Sequence, residues 1–295
     1  MDRREFLAAA AVSAASLTIG CVRTLDQPKS FVSDRISVVT VGSGPDVVLI
    51  PGLATSRDVW SGTTEAVPGY RYHLVQIAGF AGTSPLANAR PGPLLEPVAG
   101  EVVRYIVEQR LNRPAIVGHS LGGLLALMAA AARPDAVSKV MVVDMVPYGA
   151  MLFKGLDVTP EEGPAIGAMA RERYFGADRP AATQRIYATM IRTDELRPKY
   201  VAQAMASDGD VAGRLFGEVA ATDVRTRLKA ITGALTVLYV SNSNAPADLA
   251  RTDALYRAAY RNLPAASLKR IDDSYHFIML DQPERFAQEL RTFLR

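Results

Sequence analysis

Residues 114–132 read PAIVGHSLGGLLALMAAAA, and the chain changes character inside that stretch. Positions 114–117 form an apolar, partly β-branched run suited to a buried strand, whereas 124–132 are leucine, methionine and alanine, which favour a helix. Ser120 sits at the joint. A serine on so abrupt a strand-to-helix turn is held in a strained conformation, and the residues two before and two after it must be nearly free of side chain for strand and helix to pass. Gly118 and Gly122 occupy those places. The helix that follows aims its N-terminal N–H groups and positive dipole end where an oxyanion would form. Ser120 therefore reads as a nucleophile.

Around this joint, strand and helix patterns alternate. Residues 35–41 and 46–50 are β-branched runs separated by Gly42-Ser43-Gly44-Pro45, hence two strands and a tight turn. A helix holding Trp60 as a core anchor runs to about Ala66, and residues 72–77 form a third strand with His73 as a core or edge residue. Residues 91–97 read as a loop, and 98–111 as a helix, from the spacing of Val98, Val102, Val103, Ile106 and Val107. Residues 137–143 are a further strand, ended by Asp144. From about 148 to 232 no strand is evident, only helix-compatible runs at 161–174, 181–191, 199–205 and 210–220. Met145, Met151, Met169, Met190 and Met205 fall in or just before that stretch, where they suit either an adaptable apolar pocket or ordinary packing of small helices. Strands resume at 235–240 and 267–271, with helices near 247–260 and 282–294. This is an α/β pattern, and open α/β sheets place ligands at the carboxyl ends of their strands, where Asp144 stands.

With 295 residues, 49% hydrophobic and 21% charged, the chain can bury the core of one large α/β domain. Its net charge of +3 is scattered along the sequence, with no basic stripe, which argues against a nucleic-acid partner. The single cysteine, Cys21, rules out an intramolecular disulfide.

The first residues belong to a different class of sequence. Met1-Asp2-Arg3-Arg4-Glu5-Phe6-Leu7 opens on paired arginines, and the Ala-rich apolar run to Ile19 is short for a transmembrane helix. Residues 1–21 thus read as a signal peptide, with a pattern resembling the twin-arginine export signal. Thr18-Ile19-Gly20-Cys21 resembles a lipobox, which would put a lipid on Cys21 and anchor the protein at a membrane. The expectation is a bacterial protein in the periplasm or cell envelope, with 22–32 as a linker.

Over about residues 33–295 the chain resembles the α/β-hydrolase superfamily, in its esterase and lipase branch, with Gly118-His119-Ser120-Leu121-Gly122 as the nucleophile elbow. The resemblance implies a mostly parallel, doubly wound sheet. It also implies a core of 33–147 and 233–295, and a helical cap, 148–232, inserted after the strand that the family counts as its sixth. Pro51 stands where the family usually has histidine before Gly52, but the backbone donor on Leu53 is unaffected. Leu53 and Leu121 would then supply the oxyanion-hole N–H groups. Gln76 replaces the acid that usually precedes the loop Gly79-Phe80-Ala81-Gly82-Thr83-Ser84, so a structural role for that acid is expected to be missing.

Family order is nucleophile, acid, histidine. Of the three histidines, His276 follows Ser120 outside the elbow, in a loop after the last strand, and is the expected general base; His119 is expected to point away from the site. Most relatives carry the acid after their seventh strand, where this chain has Ser241-Asn242-Ser243-Asn244-Ala245-Pro246 and no carboxylate before Asp248. Asp144 is the favoured acid, as in a subset of the family; Asp248, or no true acid, are the alternatives, and Ser241 or Asn242 could add a hydrogen bond. The implied activity is serine-dependent hydrolysis of a small-molecule carboxylic ester or lactone, needing no cofactor or metal. A carbon–carbon bond hydrolase or a non-catalytic ligand-binding homologue uses the same scaffold.

Overall fold

A computed structural model describes residues 30–241, 243 and 245–295 of the protein. The readings at Arg3-Arg4, Cys21, Asn242 and Asn244 lie outside the described residues. Seven strands form one sheet among the described residues: β1 (Ile36–Gly42), β2 (Asp46–Ile50), β3 (Arg71–Ile77), β4 (Ala115–His119), β5 (Lys139–Val143), β6 (Ala234–Tyr239) and β7 (Ser267–Arg270). Their spatial order is β1-β3-β2-β4-β5-β6-β7, with only β1 antiparallel to its neighbour. The central strands β2, β4 and β5 are apolar runs buried along nearly their whole length, as parallel strands covered on both faces must be.

Register decides what meets at the carboxyl edge. His119 pairs with Val143, and Val143 with Leu238, so Ser120, Asp144 and Tyr239 each stand one residue beyond a common line. Ser120 N–H donates to Val143 O at 2.9 Å and Asp144 N–H to Leu238 O at 2.7 Å, which locks the two exits together. His73, near the start of β3, is buried away from this edge and contacts Tyr105 Oη at 2.7 Å and Asp46 Oδ1 at 2.9 Å.

The helices are α1 (Ser61–Ala66), α2 (Leu95–Glu108), α3 (Leu121–Ala132), α4 (Met151–Lys154), α5 (Gly163–Phe175), α6 (Arg179–Met190), α7 (Arg197–Ala206), α8 (Gly209–Ala221), α9 (Pro246–Ala259), α10 (Ile278–Asp281) and α11 (Pro283–Leu294). Helix α3 is apolar on every side and is buried from Leu121 through Ala130, between the sheet and α2. Trp60 is fully buried and its ring lies 6.1 Å from that of Phe286. Helix α2 starts at Leu95, three residues earlier than its apolar spacing suggests, and takes in Pro97. Proline is tolerated there because the N–H groups of a helix's first turn have no intrahelical partner.

Helices α4 to α8 lie between β5 and β6, the strands that the family counts as sixth and seventh. This segment leaves and re-enters the core side by side: Tyr148 bridges Asp223, and Val224 N–H donates to Pro147 O. Helix α8 is fastened to α2 by the Glu218 carboxylate, which accepts from Leu94 N and Leu95 N at 2.7–2.9 Å, an anion on a helix N-terminus. One turn earlier Arg214 donates to the carbonyls of Asn88, Arg90 and Gly92.

At the elbow, a Cβ on Gly118 would lie 2.0 Å from Gly122 O, and one on Gly122 would lie 2.2 Å from Ile50 O. Gly100, in the exposed face of α2, has open space instead. Gly122→Ala should therefore cost about 3 kcal/mol or more, whereas Gly100→Ala should stabilise by about 0.5–1 kcal/mol. Denaturant unfolding of the two variants measures the contrast.

Candidate active site

Ser120 has φ 53° and ψ −121°, a conformation that costs a non-glycine residue free energy and is held only by its surroundings. Those surroundings are the N–H bond to Val143 and the acceptance by Ser120 O of the Gly123 and Leu124 N–H groups at 2.8 and 3.2 Å. The exit of β2 lies against the elbow so closely that a Cβ on Gly52 would be 2.7 Å from His119 Nδ1 and 3.3 Å from Ser120 Cβ. Leu53 follows directly. Among the described residues neither the Leu53 nor the Leu121 N–H has an acceptor, and both residues line the same cavity as Ser120. Two unspent donors beside a hydroxyl are what a developing oxyanion requires.

Asp144 and His276 meet from opposite ends of the chain. Asp144 Oδ2 is 2.7 Å from His276 Nδ1. Its other oxygen, Oδ1, accepts from Val240 N–H at 3.1 Å and from Tyr256 O–H at 2.8 Å. The carboxylate is thus buried, at 9% residue exposure, yet has donors on both oxygens, which is the condition for keeping a charge out of water. Burial, with Asp144 beside them, pushes the Tyr256 and Tyr260 phenols well above their ordinary range, so both stay protonated; Tyr260 donates to Met145 O at 2.7 Å. With Nδ1 on the carboxylate, His276 keeps Nε2 for a proton from elsewhere.

His119 does not point away from the site, contrary to expectation. Its Nε2 donates to the His276 carbonyl at 3.0 Å, the two rings lie 4.5 Å apart, and the side chain lines the cavity. Burial first, then His276, holds His119 well below the ordinary histidine pKa, so it is neutral, with Nε2 protonated and a buried, unpartnered lone pair on Nδ1. The histidine loop is also tied to the helical segment. Asp281 accepts from Tyr275 N at 2.9 Å, and from Arg192 N, Thr193 N and Thr193 Oγ1 at 3.0 Å. Phe277 N–H donates to Met190 O.

The cavity over Ser120 measures about 540 Å³. Its walls are mainly aromatic and aliphatic, including Phe153, Phe175, Ile186, Tyr187, Phe216 and Phe277, and among the described residues no Lys, Arg or Glu lines it. Of the five methionines singled out above, Met145 and Met190 line the cavity; Met151 is buried elsewhere, and Met169 and Met205 are exposed. Asp248 turns outward to an ion pair with Arg251. Ser241 Oγ donates to Ser243 O and not to the acid. Gln76 corrects a further expectation, because its Oε1 accepts the Arg57 N–H at 2.9 Å and its Nε2 donates to Ile77 O and Phe80 O, so the position still braces the loop without a charge. Tyr256, Val240, His119 and Asp281 were not legible as site residues. Val240 acts through its backbone, and the partners that give the others their place, His276 for His119, Asp144 for Tyr256 and Thr193 for Asp281, lie 157, 112 and 88 residues away in the chain. Among the described residues no group of three or more His, Cys, Asp or Glu is placed to hold a metal ion.

A hydroxyl on a strained elbow, an imidazole whose far nitrogen rests on a buried carboxylate, and two free N–H groups can together support nucleophilic acyl transfer. Residues 47–289 match the family model described as the alpha/beta hydrolase family. A pimeloyl-[acyl-carrier protein] methyl ester esterase of Aeromonas hydrophila is 33% identical over 48% of this chain and 52% of its own, so the chain spans about half the length of that relative. The same-named esterase of Vibrio vulnificus is 28% identical over 86% of this chain and 96% of its own. Among solved structures, the enol-lactonase from Burkholderia xenovorans LB400 superposes with a TM-score of 0.70 at 17% identity, covering 88% of this chain and 96% of its own, a likeness of fold.

Because every group around the Asp281 carboxylate is a donor, an amide there would set N–H against N–H. Asp281→Asn should lose about 1–3 kcal/mol of stability. Asp248→Asn, which removes an exposed i,i+3 pair, should lose about 0–1 kcal/mol. Urea midpoints of the two proteins compare them directly.

Proposed function

The chain belongs to the alpha/beta hydrolase family, and from that premise we propose that it is a serine carboxylesterase acting on neutral acyl esters or lactones of small to medium size. The observation that carries the reading is the 2.7 Å contact of His276 Nδ1 with Asp144, which leaves Nε2 as the proton acceptor in the cavity that Ser120 lines. Ser120 Oγ attacks the acyl carbon as His276 Nε2 takes its proton, and Asp144 holds the imidazole in the required tautomer and balances the imidazolium. The N–H groups of Leu53 and Leu121 bind the oxyanion. Collapse expels the alcohol, which takes the proton from His276, and leaves an acyl group on Ser120. Water, activated by the same nitrogen, then releases the acid.

The substrate class rests on the cavity. A volume of about 540 Å³ lies within the usual range for small-molecule sites, and a mainly apolar lining without Lys or Arg among the described residues gives a substrate carboxylate no counter-charge. Relatives named for a methyl ester have a reacting end that is likewise neutral. Two chemistries on the scaffold, ester and lactone opening, differ only in whether the leaving alcohol stays attached.

Three measurements test this. A fluorophosphonate probe should label the purified protein and fail to label Ser120→Ala; intact, folded protein that takes no label would mean a ligand-binding homologue. Asp144→Asn should keep the fold and lower turnover by roughly two to four orders of magnitude, with Asp248→Asn changing it by less than about tenfold. On nitrophenyl esters of increasing chain length, neutral acyl groups should be turned over and ω-carboxylate analogues poorly or not at all.

We also propose export, on the strength of Arg3-Arg4-x-Phe6-Leu7 and the apolar run behind it. Arg3→Lys with Arg4→Lys should move the protein from envelope to cytoplasm in fractionated cells. A fatty-acid probe lost in Cys21→Ser would mark the lipid-anchored form.

A further inference from the structure

The carboxylate of Asp144 has an arrangement that the chemistry of the triad alone does not call for. Its inner oxygen, Oδ1, receives two donors: the Val240 N–H, from the end of β6, and the Tyr256 hydroxyl, from α9. A backbone donor one residue past a strand is a by-product of sheet geometry. A tyrosine hydroxyl brought 2.8 Å from the same oxygen, across a separation of 112 residues, is a separate construction.

That hydroxyl is held from behind. The Tyr256 ring stacks on Tyr239 with centroids 4.2 Å apart and an interplanar angle of 19°. Tyr239 donates its own hydroxyl to Asp253, which is paired in turn with Arg270 at 2.7 Å. Tyr256 is itself buried, so its donor has little water to exchange with and one anionic acceptor in reach. Resting on the reading of Ser120, His276 and Asp144 as the triad, we propose that Tyr256 is a positioning residue for the reaction. Its hydroxyl fixes the rotamer of Asp144 so that Oδ2 faces His276 Nδ1, and it draws charge toward Oδ1.

The physical effect has two parts. A hydrogen bond to a charged acceptor in a dry site is stronger than a neutral one, so losing it frees the carboxylate to rotate off the imidazole. The O–H dipole also points its positive end at the Asp144–His276 pair. Without it the carboxylate attracts a proton on His276 more strongly, and the imidazole is protonated at a higher pH. Among the described residues, the titratable groups that face this pair are Tyr256 on α9, Tyr260 one turn further, and His119 on β4 behind His276. Tyr260 spends its hydroxyl on Met145 O and His119 is held neutral by burial, so neither can stand in for Tyr256.

The test is steady-state hydrolysis of a neutral nitrophenyl ester across pH by Tyr256→Phe, made both in the natural background and in Asp144→Asn. We expect kcat to fall about 10- to 100-fold with KM within about threefold, and the acidic limb of kcat/KM to move to higher pH. In the Asp144→Asn background the second change should cost less than about threefold, because the charge on which Tyr256 acts is already gone. An acidic limb that does not rise, or an equal loss in both backgrounds, would overturn the assignment and leave Tyr256 as cavity wall or core. Should Tyr256→Phe fold poorly, 3-fluorotyrosine at position 256 keeps ring and donor; its more acidic hydroxyl should shift the limb to lower pH, and an unmoved limb overturns the proposal equally. Ser120→Ala measured alongside separates the two levels: full activity there rejects the triad itself, whereas an inactive Ser120→Ala with an unaffected Tyr256→Phe rejects only this inference.

Discussion

A charged carboxylate placed where water is largely excluded constrains everything near it. Asp144 stands at the end of β5, at the carboxyl edge of the sheet, and burial at that point is tolerable only if each oxygen is supplied with donors. The supply comes from His276, Val240 and Tyr256. A loop, a strand end and a helix are thereby obliged to converge on one side chain, and the positions of β6, α9 and the histidine loop follow from that convergence. His119 behind His276 stays neutral for a related reason: it is itself buried, and the His276 ring 4.5 Å away further opposes a charge there.

The other half of the site depends on close approach. Glycines at 118 and 122 let β4, α3 and the exit of β2 come within backbone contact, and Gly52 leaves room for the His119 ring. The elbow and the exit of β2 that carries Leu53 are therefore one packed unit, in which a single added methyl group displaces several groups at once. The segment between β5 and β6 adds its own residues to the core and is further fastened by polar groups: Glu218 and Arg214 to the region of α2, and Asp281 between the histidine loop and residues 192–193. Through Asp281, the piece of chain that roofs the cavity and the piece that carries His276 share one carboxylate.

Much of this is legible in the sequence alone. The elbow could be read because its demands are local: glycine at two fixed offsets, an apolar strand before and a helix after, all within a few residues. The strand endings at 50 and 143 follow from β-branched and apolar runs, and the helical character of 148–232 from helix-compatible runs with no strand among them, which are also local signals. Local reasoning erred where tertiary context supplied what sequence lacked. Gln76 looked like a lost acid, yet an amide oxygen accepts an N–H as a carboxylate does. Five methionines looked equivalent, but only Met145 and Met190 face the cavity, because which side of a short helix is covered depends on what packs against it.

By itself, then, the sequence determined the α/β architecture, the serine on its elbow, and a short set of candidates for the groups that would serve it. Only the tertiary structure decides which of those candidates stand together. It set Asp144, and not Asp248, against His276, turned His119 inward to the His276 carbonyl, and brought Tyr256 to the second oxygen of the acid. The division has a physical cause. Strand, helix and turn propensities act over a few residues and leave their signature in composition and spacing. A hydrogen bond between residues 144 and 256 depends on sheet register and helix placement, which are settled by the packing of the whole core and leave no mark on neighbouring letters.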